Sequence, residues 1–65
     1  MAVDDWRDLV GRYVEIRKDG KVVRTGYVND VTHAANALWL EHHGGYLRQL
    51  FEKAEGYSAE ILPAS

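Results

Sequence analysis

Sixty-five residues without a cysteine make one domain, residues 1–65, and exclude disulfides and thiolate metal sites. A formal net charge of −2 argues against a domain built mainly to hold nucleic acid, which usually carries a strong positive balance. With 46% hydrophobic and 28% charged residues the composition is that of a globular domain and not of a disordered tail. No apolar run approaches the roughly 20 residues of a membrane span. The first residues, Met-Ala-Val-Asp-Asp, lack the basic and apolar regions of a signal peptide. The expected location is the cytoplasm.

Residues 4–10, Asp-Asp-Trp-Arg-Asp-Leu-Val, read as a short helix. Asp4 or Asp5 caps it, and Trp6, Leu9 and Val10 form one apolar stripe. Gly11 suits the position just past its end. So short a helix has no stability of its own in water and must dock through Trp6, read as a core anchor.

Tyr13 to Thr32 reads as a β-hairpin closed by Asp19-Gly20, a pair that accepts the positive φ angles of a type I′ turn. The turn sets a register in which Lys18 faces Lys21, Arg17 faces Val22, Ile16 faces Val23, Glu15 faces Arg24 and Val14 faces Thr25. Opposite residues share a face. This register sends Val14, Ile16, Val23 and Thr25 inward and pairs Glu15 with Arg24 on the outer face. Gly26, inside the long second strand, marks a bulge or bend. Beyond it the alternation shifts, and Val28 and Val31 are expected inward.

Residues 32–36 form a connection. Residues 37–43 form a third strand with Leu38 and Leu40 on one face and Trp39 and Glu41 on the other. His42-His43-Gly44-Gly45 then turns the chain. Residues 46–55 support two readings. Leu47, Leu50, Phe51 and Ala54 have helical spacing, with Arg48 and Glu52 able to pair at i, i+4 and Gly56 as a C-cap. A small barrel, however, needs a fourth strand here, and tertiary context overrides propensity. Residues 57–62 form a last strand, ended by Pro63. The expected fold is mainly β: a small barrel or bent meander of four or five strands behind a short helix. The alternative is an α+β fold with a second helix at 46–55.

That plan resembles the SH3-like and Sm-like barrels. The stretch from Gly20 to Leu40 resembles the first sequence motif of the Sm-like proteins, with Gly20, Gly26, Val28, Asn36 and Leu38 matching in kind. Thr32 stands where that motif has an aspartate and Ala35 where it has a methionine. The family's second motif, an Arg-Gly pair in the last loop, is replaced by Glu55-Gly56-Tyr57. The resemblance implies a barrel whose open strand edge pairs neighbouring subunits. Of the family's RNA-pocket residues it carries over only Asn36.

The histidines make no metal site by their spacing. His42 and His43 are adjacent, so on a strand they point to opposite sides, and a site needs three or four convergent ligands. Joining His33 and Glu41 to them would require the loop to fold back. No nucleophile–base pattern and no glycine-rich phosphate loop occurs. The expectation is therefore a protein that is not an enzyme, with no cofactor and no metal. Surface aromatics and nearby cations are the candidate binding residues: Tyr13, Arg24, Tyr27, Asn36, Trp39 and Tyr57, suited to extended peptides or to stacked bases. The expected function is a non-catalytic interaction module for protein, including its own copies as a weak dimer. Weak binding of RNA or single-stranded nucleic acid is the alternative.

Overall fold

The computed structural model describes residues 3–41 and 47–63. Five antiparallel strands form one sheet: β1 (Tyr13–Lys18), β2 (Lys21–Val31), β3 (Ala37–Leu40), β4 (Gln49–Glu52) and β5 (Tyr57–Ile61), in the order β4-β3-β2-β1-β5. The mainly β expectation holds. The sheet is a bent meander and does not close into a barrel: β4 and β5 are its two ends.

The expected N-terminal helix is a single 3-10 turn, Trp6–Leu9. Asp5 caps it, accepting the Arg7 backbone N–H at 3.0 Å and two further bonds from the Arg7 guanidinium. Three residues per turn put Trp6 and Leu9 on one face, and both are buried. Val10 does not join that stripe. The chain leaves the turn there with extended ψ, so Val10 stays exposed. Trp6, at 1% exposure, is the core anchor its position suggests. The ammonium of Lys53 stands 5.1 Å from the centre of its ring and also bonds the Asp4 carbonyl.

The hairpin turn is as expected, with positive φ at Asp19 and Gly20, and the Lys18–Lys21 and Arg17–Val22 pairs form. The register then slips by one residue, so that Ile16 faces Arg24, Glu15 faces Thr25 and Val14 faces Gly26. Val23 is the extra residue of this bulge. It turns outward, 44% exposed, while Arg24 turns inward at 5%. The expected Glu15–Arg24 pair is therefore not made; Glu15 pairs with Arg17 on its own strand. The reason lies further along β2. Continued without the bulge, the alternation would carry Tyr27 into the interior and Gly26 and Val28 out of it. The bulge instead brings Gly26 against Leu40, where a Cβ would sit 3.4 Å from the leucine Cδ1, and buries Val28. A second bulge at Asn29 places Asp30 opposite Trp39 and Val31 opposite Leu38. It keeps a carboxylate out of the core.

In β3, Leu38 and Leu40 are buried as expected, and the strand stops at Leu40, before Glu41. His42 and His43 lie outside the described residues. The helical reading of 46–55 is overturned over its described part. Gln49–Glu52 is strand, and Lys53–Glu55 is a 3-10 turn closed by Gly56 at φ +93. Pairing with β3 brings Phe51 opposite Leu38 in the core. Burying a phenylalanine contributes roughly 1.5–3 kcal/mol, more than the few tenths per residue by which local helix preference acts. The core is one cluster of Trp6, Leu9 and residues from all five strands.

Two outcomes follow. Gly20 has open space where a Cβ would go but sits at φ +76, so a side chain there meets backbone strain and not a clash. Gly20→Val should lower stability by more than about 1 kcal/mol and Gly20→Asn by less, read as a shift of the denaturant midpoint at constant slope. The hydrogen bonds from Arg7 hold the Asp5 carboxyl at about 2, below its ordinary 3.8. A depressed carboxyl contributes stability above its unfolded value and loses it as pH falls through the folded one. Titration of the Asp5 carboxyl carbon by NMR should show the low midpoint, and Arg7→Ala should return it toward 3.8.

Candidate interaction surface

The six residues read as binding candidates separate into five places. Tyr13 and Tyr27 come together as opposite residues of β1 and β2 on the outer face. Their ring centroids are 4.9 Å apart, and the Tyr13 hydroxyl donates to Thr25 Oγ1 at 3.0 Å. Tyr57 lies apart from them at the start of β5. Its ring meets Phe51 edge-on at 5.0 Å, under the Lys18 ammonium. Asn36 closes the β2–β3 turn, where its Oδ1 accepts from the Thr32 hydroxyl at 2.7 Å and its carbonyl accepts the Lys53 N–H. Ala35 beside it takes φ +57. Asn36 is thus engaged in turn structure.

Arg24 is not on the surface. From the inner side of β2 its Nη1 donates to the Leu47 carbonyl at 2.9 Å and its Nη2 to the Glu41 carbonyl at 2.7 Å. The planar guanidinium bonds the two ends of the β3–β4 connection at once, which a point-charge ammonium does less well.

Trp39 lies on the outer face, where Arg48 covers it, its guanidinium carbon 4.2 Å from the ring centre and its Nε donating to Asn29 Oδ1 at 3.0 Å. Directly opposite Trp39 on β4 is Leu50, 37% exposed. Leu47, just before the strand, is 75% exposed. Trp39, Arg48 and Leu50 therefore form an amphipathic strip along the β4 end of the sheet. Arg48 is one of the cations, with Arg17 and Arg24, that the sequence offers as polar contacts beside the surface aromatics; Leu50 was not among the candidate binding residues. The signal was present as the i, i+2, i+4 series Arg48, Leu50, Glu52, which a helical reading conceals.

Among the described residues the edge itself is open. Lys53 N–H donates to the Asn36 carbonyl, which fixes the phase of the β3–β4 ladder. Gln49 and Phe51 then bond across to β3, while Leu50 and Glu52 direct their N–H and C=O groups away from it. Among the described residues no strand lies on that side of β4. The opposite end is partly covered, since Val3 N–H donates to the Ala59 carbonyl of β5 at 2.9 Å.

Among the described residues there is no concave pocket and no group of three His, Asp or Glu side chains placed to hold a metal ion. No described helix is long and apolar enough to cross a membrane.

Removing the Arg24 clasp has a readable cost. Arg24→Met keeps the apolar length but loses both charged donors, and stability should fall by about 1.5–3 kcal/mol, the range for hydrogen bonds to charged groups. Arg24→Lys should recover only part of it. A chemical denaturation midpoint equal to that of the wild type would remove the clasp from the account of stability.

Compared with known proteins, the chain matches no family model, no curated protein and no solved structure.

Proposed function

We propose that this chain is a non-catalytic protein-interaction module whose partners include its own copies. One observation carries the reading: the sheet ends in a strand whose polar backbone groups face outward beside an amphipathic strip. An unpaired strand edge is a template for another extended chain, which gains main-chain hydrogen bonds and side-chain contacts together. Kinship with the SH3-like and Sm-like barrels belongs to the same reading. It is supported by the bent meander behind a short N-terminal turn and by Gly26 packed closely against Leu40. So does a cytoplasmic location, which rests on the cysteine-free composition.

Three placements favour protein over RNA or single-stranded nucleic acid as the partner. Arg24, a candidate phosphate contact, is buried. Asn36 is engaged in its turn. One face of Trp39, the platform on which a base would stack, is covered by Arg48. Sedimentation equilibrium from about 10 µM to about 1 mM, the span of weak protein affinities, should show the mean mass rising with concentration. Association that instead required added oligonucleotide and weakened steeply with salt would replace this reading with the nucleic-acid one.

A further inference from the structure

We infer that β4 pairs antiparallel with β4 of a second copy, about a two-fold axis through Leu50. The inference deepens the self-association reading and rests on it.

The register follows from the backbone. Leu50 and Glu52 aim their peptide groups outward, and Arg48, two residues before Leu50, lies over Trp39 on the outer face. In an antiparallel pair two opposed residues exchange both hydrogen bonds only if both carry outward-facing groups. An axis through Leu50 satisfies this. Leu50 then faces Leu50 of the second copy, and Arg48 faces Glu52 in both directions. All three are outer-face residues, so the side chains meet on one surface.

The chemistry of that surface is complementary to itself. Arg48 and Glu52 lie two residues on either side of Leu50, with opposite charges, so the two-fold operation brings each cation to an anion. Like charges at the two positions would have blocked the edge. The two leucines meet at the centre, each backed by the Trp39 of its own sheet. Phe51, already buried, takes no part.

The other edge does not offer the same surface. Val3 already bonds the outward carbonyl of Ala59, in the middle of β5. Pairing of β4 with β5 of the next molecule, which would propagate head to tail, meets that bond. Pairing of β4 with itself leaves it intact and closes on two molecules, as an isologous contact must.

Charge reversal tests the register. Arg48→Glu and Glu52→Arg each place like charges opposite one another twice, and each should weaken self-association about tenfold, on the scale of a few exposed ion pairs. An equimolar mixture of the two variants forms a heterodimer with both pairs restored and should associate about as tightly as the wild type, as should the double variant. The mixture also controls for the Trp39 stack lost in Arg48→Glu, and circular dichroism melting confirms that each variant is folded. If Arg48→Glu does not fold, Glu52→Arg carries the test, and its association should recover as added salt screens the facing cations. A wild type that sediments as a monomer up to about 1 mM overturns both the self-association reading and this interface. A wild type that associates while the variants associate equally well, or while the mixture shows no recovery, overturns the β4 pairing and leaves self-association standing.

Discussion

The phase of β2 is the constraint on which the rest of the molecule depends. This strand pairs with β1 through its first half and with β3 through its second, and its side chains must suit a different neighbour in each half. Two bulges, at Val23 and Asn29, adjust that phase. Together they put Gly26, Val28 and Val31 toward the interior and Tyr27 and Asp30 away from it. A bulge is a small local disruption of the ladder. Leaving Asp30 on the buried side would cost several kcal/mol in desolvation, so the disruption is the smaller term.

The Val23 bulge also turns Arg24 inward, and that inward cation organises the far side of the sheet. Its guanidinium reaches from β2 to the carbonyls on either side of the β3–β4 connection. It thereby ties the chain entering β4 to the chain leaving β3. β4 has four residues and one strand neighbour, which leaves it weak on ladder bonds alone. Phe51 in the core and Arg24 at the connection supply what the short ladder does not. The outer-face arrangement of Arg48, Trp39 and Leu50 depends on both.

Much of this was legible in the residues. The Asp19-Gly20 turn, the buried Trp6 and the inward pair Leu38 and Leu40 each follow from local chemistry that tertiary packing did not oppose, whereas the bulges fall at Val23 and Asn29 and not at Gly26. The Val23 bulge was not legible, because Val23 and Arg24 obey the alternation the turn prescribes. Only the needs of Gly26 and Val28, packed against residues distant in sequence, displace it. The 46–55 segment failed for a related reason: Leu47, Leu50 and Ala54 fit a helix by spacing, and what decides the case is the space for Phe51 beside Leu38. Of the candidate surface, the aromatic residues were visible as types. Their separation into three places, and the role of Arg48 and Leu50, depend on strand order and on which peptide groups the ladder leaves outward.

The two tryptophans occupy opposite environments, and this gives the protein two optical reporters. Trp6 is sealed beneath the N-terminal turn, so its emission should be blue-shifted, insensitive to aqueous quenchers, and altered chiefly by unfolding. Trp39 lies on the outer face against a guanidinium, in reach of solvent and next to the open strand edge. One chain thus carries separate signals for whether it is folded and for what happens at its edge, with no label attached.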